Sequence, residues 1–188
     1  MTEDNNPPEE IINITTIGNT VRFYGDINTR TSFLLINALN QAVLNIKENN
    51  VMPNSNEINL HINSDGGEVY RFFGILSYIK GLPYKVVTHV EGFAASAAAM
   101  LSVCGDYRRI SKDSFMLIHE IRSGCWGTYS NCKDDMNNNK MLMKRLKKLI
   151  LKHSKNKFPK KTLNKILKKD ILLSPKTCLK YGLVDEIV

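Results

Sequence analysis

Short apolar runs of strand type alternate along this chain with longer stretches of helical periodicity, and that alternation constrains the fold more than any other feature. Residues 21–24 read as a short strand closed by Gly25-Asp26. Over 31–47, Phe33, Leu34, Leu35, Ile36, Leu39, Ala42, Val43 and Ile46 give a helix with one face on a core, and Asn49-Asn50 ends it. Residues 58–62 read as a buried strand. Asn63-Ser64-Asp65-Gly66-Gly67 is then a tight turn opening a helix that runs to about residue 80. A strand at 86–90, a helix at 93–104 and a strand at 115–119 continue the series. Strands joined through helices predict a parallel sheet with crossover helices, the α/β class.

Beyond His119 the pattern changes. A loop over 123–127, carrying Gly124 and Gly127, leads into a long helix at about 131–153. Its apolar stripe is Met136, Leu142, Met143, Leu146, Leu149 and Ile150, with lysines opposite. A short helix at 162–169, an apolar run at 171–173 and a last helix follow, the last capped by Ser174, with Pro175 at its first position and Gly182 beyond its end. No repeat or low-complexity linker divides the chain. The 188 residues read as a mobile or divergent segment over 1–20, its first ten residues a tail, followed by one domain over 21–188.

Composition narrows the class. With 43% hydrophobic and 23% charged residues the chain is an ordinary globular one. The apolar stretch over 92–103 is too short to cross a bilayer, and the acidic, proline-bearing start is no signal peptide, so no membrane role and no secretion are expected. Cys104, Cys125, Cys132 and Cys178 show no metal-binding spacing and are read as free thiols in a reducing interior, although bridging of Cys125 to Cys132 stays open. The net charge of +8 concentrates between Lys133 and Lys180, which hold 16 Lys or Arg against three acids. Those lysines interleave with Leu, Ile and Met at helical spacing without a stacking series of aromatics. They read as a solvated helix face, not a nucleic-acid surface.

Four places carry chemistry. The Gly66-Gly67 turn can aim successive backbone N–H groups at one point, where an oxyanion would sit. Ser96, between Ala94-Ala95 and Ala97-Ala98-Ala99 at the start of a helix, has small neighbours that let a peptide approach and a positive helix end behind it. The same segment also reads as a small-residue helix packed closely on the sheet. His119 ends an apolar strand at its carboxyl edge, where open α/β sheets keep catalytic groups. Asp170 stands just before Ile171-Leu172-Leu173. Taken singly, each of these reads as structural rather than functional.

Taken together, Ile62-Asn63-Ser64-Asp65-Gly66-Gly67, Gly92-Phe93-Ala94-Ala95-Ser96, Met116-Leu117-Ile118-His119, Asp170-Ile171-Leu172-Leu173-Ser174 and Tyr181-Gly182-Leu183-Val184-Asp185 resemble, in order and separation, the proteolytic subunit of the Clp protease family. The resemblance runs over 21–188. It implies the ClpP/crotonase-like α/β fold of stacked ββα units, with the helix at 131–153 as a protruding handle. It also implies a serine endopeptidase with Ser96 as nucleophile, His119 as general base, Asp170 as the partner that orients the histidine, and the Gly67 and Ala97 amides as oxyanion hole. By the same resemblance the chain needs no cofactor or metal and self-associates into stacked heptameric rings. It cleaves peptides and unfolded proteins, and works beside an AAA+ unfoldase that alone uses ATP. A cytoplasmic location is implied, or the interior of a plastid-like organelle or an infected host cell.

Departures from the family pattern sit beside the site. Asp65 stands where proline is usual, Glu120-Ile121 where glutamine-proline is usual, and Lys168-Lys169 where an acid followed by arginine is common. A carboxylate beside His119 is expected to alter its basicity or the seating of a peptide. Two other readings remain: a non-catalytic ring subunit, and an acyl-CoA enzyme of the crotonase type. Neither needs Ser96, His119 and Asp170 together.

Overall fold

Helix α1 (Thr29–Lys47) starts where Asn28 caps it. Asn28 Oδ1 accepts the Thr31 N–H at 2.9 Å, and Thr31 Oγ1 accepts the Asn28 N–H at 2.9 Å. The computed structural model describes residues 13–48 and 56–188, and every statement below concerns those residues. The expected tail and Asn49-Asn50 lie outside them.

Strands and helices alternate as the periodicity predicts, and the sheet gains three members. β1 (Asn13–Ile17) and β2 (Thr20–Tyr24) form an antiparallel hairpin through Gly18 at φ +59°, so part of the 1–20 segment is a paired strand. β3 (Glu57–Ser64), α2 (Val69–Lys80), β4 (Lys85–Ala95), α3 (Ser96–Val103), β5 (Tyr107–Ile110) and β6 (Phe115–Leu117) follow, then α4 (Tyr129–His153), α5 (Lys160–Ile166), α6 (Pro175–Lys180) and β7 (Glu186–Ile187). The path is β1-β2-β3-β4-β5-β7, parallel from β2 onward, with β6 on the far part of β4.

The α/β reading holds, with one correction at its centre. The chain over 93–95, expected to be helical, continues β4, and the helix begins at Ser96. Phe93, Ala94 and Ala95 pair with Phe115, Met116 and Leu117 of β6, and these ladder bonds extend the strand. β5 and β7 are too short for a two-residue alternation to announce them.

Alternation places Ile58, Leu60 and Ile62 of β3 in the core with Leu35 and Leu39 of α1 and Phe72 and Ile75 of α2. The other face of the sheet is polar. Arg22, His61, His89, Arg109 and Glu186 stand opposite one another on successive strands. The His61 and His89 rings stack at 4.4 Å, His61 Nδ1 meets Glu91 Oε1 at 2.5 Å, and Tyr24 donates its hydroxyl hydrogen to Glu91. Burial first, and then the positive charges of His61 and Arg109, push His89 down to about 4, so it is neutral at neutral pH.

At the carboxyl-terminal edge, buried Arg108 clamps Asp185 with two bonds of 2.8 Å and reaches the Gly182 carbonyl with a third. Burial would raise the Asp185 carboxyl, but the Arg108 bonds and charge outweigh it and hold it below the usual range.

Helix α4 buries only Leu146, Leu149 and Ile150, near its end; its first half stands out with Tyr129, Met136 and Met141 exposed. No helix among the described residues is long and apolar enough to cross a membrane.

Candidate active site

The strained elbow between β4 and α3 fixes the geometry of the site. Ser96 is its first helical residue, with φ at +53°, a value that costs a residue bearing a Cβ about 1–3 kcal/mol. Such a turn presents the hydroxyl away from the strand it ends, as nucleophile elbows do. The alanines around it are buried, Ala94, Ala98 and Ala99 completely. Their small size therefore serves close packing of α3 on the sheet, and the approach to Ser96 comes from the half-exposed side of the elbow itself.

The Gly66-Gly67 turn lies against that elbow. Gly66 has φ +100°, and a Cβ there would stand 2.6 Å from the Ala95 carbonyl oxygen, 2.8 Å from the Ser96 Cβ and 3.0 Å from the Ala97 nitrogen. At Gly67, φ +138°, a Cβ would meet the Ile27 carbonyl oxygen at 2.2 Å. Glycine is required twice, by dihedral and by contact. The turn is sewn down by Ile27 N–H to the Gly66 carbonyl at 2.6 Å, Glu68 N–H to the Ile27 carbonyl at 2.8 Å and Gly66 N–H to Ser64 Oγ at 3.1 Å. None of these bonds uses the Gly67 N–H. Ala97 lies in the first turn of α3, where N–H groups have no acceptor within their own helix.

His119 follows β6 and is half-buried. Its Nδ1 stands 2.5 Å from the Glu120 carbonyl oxygen. A carbonyl oxygen can only accept, so Nδ1 carries a hydrogen, and in the neutral ring the lone pair is on Nε2. Gly67, Ser96, Ala97 and His119 line one cavity of about 350 Å³. Its wall is apolar, from Val69, Phe72, Met100, Met143 and Ile150, and its rim is charged, from Asp65, Glu68, Glu120, Arg122 and Lys147.

Asp170 lies apart from that lining. It is exposed, and its Oδ2 accepts a 2.7 Å bond from Arg122 Nη2. Among the described residues no hydrogen bond joins Ser96 to His119, or His119 to Asp170. The structure thus gathers four of the five residues singled out in the sequence and pairs the fifth with a residue that sequence reasoning missed. Arg122 had one signal, a lone arginine three residues after His119.

One correction concerns the cysteines. Cys125 and Cys132, read as free thiols, are joined in a disulfide, with their Cα atoms 5.5 Å apart. Gly127, at φ +131°, turns the chain back so that the loop meets the first turn of α4. Cys104 and Cys178 are free and buried, and burial pushes both thiols up to about 12, which leaves them unreactive.

Comparison with protein families matches residues 19–188 to the family described as Clp protease. The chain belongs to the Clp protease family. Three relatives named ATP-dependent Clp protease proteolytic subunit align with it. The one from Deinococcus radiodurans is 30% identical over 135 residues, covering 70% of this chain and 65% of the relative. The one from Bacteroides thetaiotaomicron is 31% identical over 134 residues, covering 70% and 60%, and the one from Bacteroides fragilis 30% over 134 residues, covering 70% and 64%. The aligned region therefore spans less than two thirds of the length of these relatives. The α/β fold described above is that of the Clp protease family, with α4 as its protruding helix.

Proposed function

We propose that this Clp protease family chain is a serine endopeptidase subunit in which Ser96 attacks the scissile carbonyl and His119 is the base. The observation that carries the reading is the strained elbow at Ser96, placed on one cavity with His119 and with the Gly67 and Ala97 amides. His119 Nε2 takes the Ser96 proton as the Oγ–C bond forms. The carbonyl oxygen becomes an oxyanion facing the two amides, donors that in such sites contribute about 10²–10³ in rate apiece. Collapse of the tetrahedral centre breaks the C–N bond, and His119 returns the proton to the leaving amine. Water, deprotonated by the same imidazole, then releases the acyl group. Asp170 is the group that stabilises the imidazolium when it stands on His119.

The apolar cavity wall suits a bulky hydrophobic side chain beside the cleaved bond, and unfolded segments offer such residues. The exposed apolar residues of α4, Tyr129, Met136 and Met141, favour burial against further copies of the chain, in stacked heptameric rings that enclose the sites. An AAA+ partner would feed the chamber and be the sole user of ATP. This chain needs no cofactor for the steps above.

The test is covalent. A fluorophosphonate probe is expected to attach to Ser96 in the assembled protein, with the adduct located by peptide mass, and Ser96→Ala is expected to lose labelling and lower peptide hydrolysis by at least about 10³-fold. Absence of any adduct on folded, assembled protein would refute the serine-peptidase reading.

A further inference from the structure

The ion pair on Asp170 and the bond on His119 are two halves of one arrangement. Each of the two groups that a serine–histidine–aspartate site would join is instead held by a nearer partner: His119 Nδ1 by the Glu120 carbonyl at 2.5 Å, and Asp170 Oδ2 by Arg122 Nη2 at 2.7 Å. The Glu120 carbonyl sets the tautomer and so orients the ring. It carries no full charge, however, and stabilises the imidazolium formed during proton transfer less than a carboxylate does.

We propose that Arg122 is a positioning residue that holds Asp170 away from His119, so that the site rests as a histidine oriented by a backbone carbonyl and is completed when Arg122 lets Asp170 go. The proposal rests on the serine-peptidase reading above. Two features make the exchange local. His119 and Arg122 flank Glu120 on one loop, and the Glu120 N–H is bonded to the Leu167 carbonyl at 2.8 Å, three residues before Asp170. The loops bearing the histidine and the aspartate are thus tied together by backbone next to each.

Both side chains of the ion pair are more than half exposed, Arg122 at 71% and Asp170 at 59%. Such a pair holds by a factor of about two to five and is weakened by salt. Arg122 also lines the cavity while Asp170 does not. A carbonyl or carboxylate of an entering peptide therefore competes for the guanidinium from the cavity side, and substrate binding itself favours release of Asp170.

The experiment is a double-mutant cycle of Arg122→Gln and Asp170→Asn in the full chain, with folding and assembly checked by circular dichroism and sedimentation. Hydrolysis of an apolar fluorogenic peptide and the rate of Ser96 labelling are the readouts. Arg122→Gln is expected to raise kcat about two- to fivefold and to move the acid limb of the pH profile upward. Raising salt from about 0.05 to about 0.5 M should stimulate the unmodified protein and leave Arg122→Gln unmoved, and Arg122→Lys should restore the resting rate. In the Asp170→Asn background, Arg122→Gln should leave kcat unchanged. An unchanged or lower kcat in Arg122→Gln, or an equal gain in the Asp170→Asn background, overturns the proposal. Should no variant label at all, the peptidase reading fails separately, and the imidazole proton spectrum decides the latch. A downfield His119 Nδ1–H signal that appears in Arg122→Gln and is absent from the double variant supports it, and no such signal overturns it.

Discussion

Alanine at Gly66 is the substitution that most directly tests whether the glycine turn and the elbow at Ser96 form one device. Gly66 sits at φ +100°, outside the range L residues adopt, which costs about 1–3 kcal/mol once a Cβ is present. The new methyl would also lie 2.6 Å from the Ala95 carbonyl oxygen and 2.8 Å from the Ser96 Cβ. Overpacking of that kind costs a further ~1–3 kcal/mol. The first contact is backbone and the second is the root of the proposed nucleophile, so neither can rotate away. Relief must come by displacing the elbow itself.

Two readouts follow from that geometry. Stability should drop by about 2–6 kcal/mol, which for a chain of this size lowers the melting temperature by roughly 4–24 °C. Labelling of Ser96 should fall further than stability alone explains, by about 10²-fold at a temperature where the variant is fully folded, because a displacement near 1 Å spoils the attack geometry by that much. Gly74 is the control. It lies inside α2 with nothing within 4 Å of where an added Cβ would stand, so Gly74→Ala should stabilise by about 0.5–1 kcal/mol and leave labelling unchanged. A folded Gly66→Ala protein that labels at the ordinary rate would refute the coupling of turn to elbow.

Two further expectations concern pH and the sheet edge. His89 is held at about 4, below its unfolded value of 6.5, so the unfolded chain binds more protons between those values. Its contribution to stability is complete above pH 6.5 and is lost as the pH falls toward 4. The shift corresponds to at most about 3 kcal/mol, and to about half that once the partial exposure of the ring is allowed for; urea midpoints across this range should show the slope, and His89→Gln should flatten it. Asp185→Ala leaves the guanidinium of buried Arg108 unpaired and should cost about 3–5 kcal/mol by chemical denaturation. Because the Asp185 carboxyl is depressed in the fold, its contribution is present above the ordinary carboxyl range and disappears on acidification below it.

The strands and helices with strong local repeats are legible in the residues alone. β3 shows its two-residue alternation in the burial of Ile58, Leu60 and Ile62, and α1 buries Leu35, Leu39, Ala42 and Val43 of its stripe but leaves Phe33 exposed, while α4 buries only the later part of its stripe, Leu146, Leu149 and Ile150, and leaves Met136 exposed. What local pattern could not supply was decided by partners distant in the chain. Ala94 and Ala95 favour helix, yet they extend β4 because Met116 and Leu117 stand beside them. β7 exists because Arg108 draws Asp185 down onto the edge of β5.

The site divides along the same line. Glycine at 66 and 67 and a small-residue context for Ser96 are demands of backbone geometry, written into residue type, and so they could be read. The partner of Asp170 depends on where two loops come to rest, and an arginine three residues beyond a histidine carries no periodicity to mark it. If exchange of that partner governs the rate, the control of this site lies in the part of the chain where sequence pattern is weakest. The proposed nucleophile and its amides are set by backbone geometry at Gly66, Gly67 and the turn at Ser96, so substitutions in the elbow should abolish chemistry while substitutions at Arg122 should only retune it.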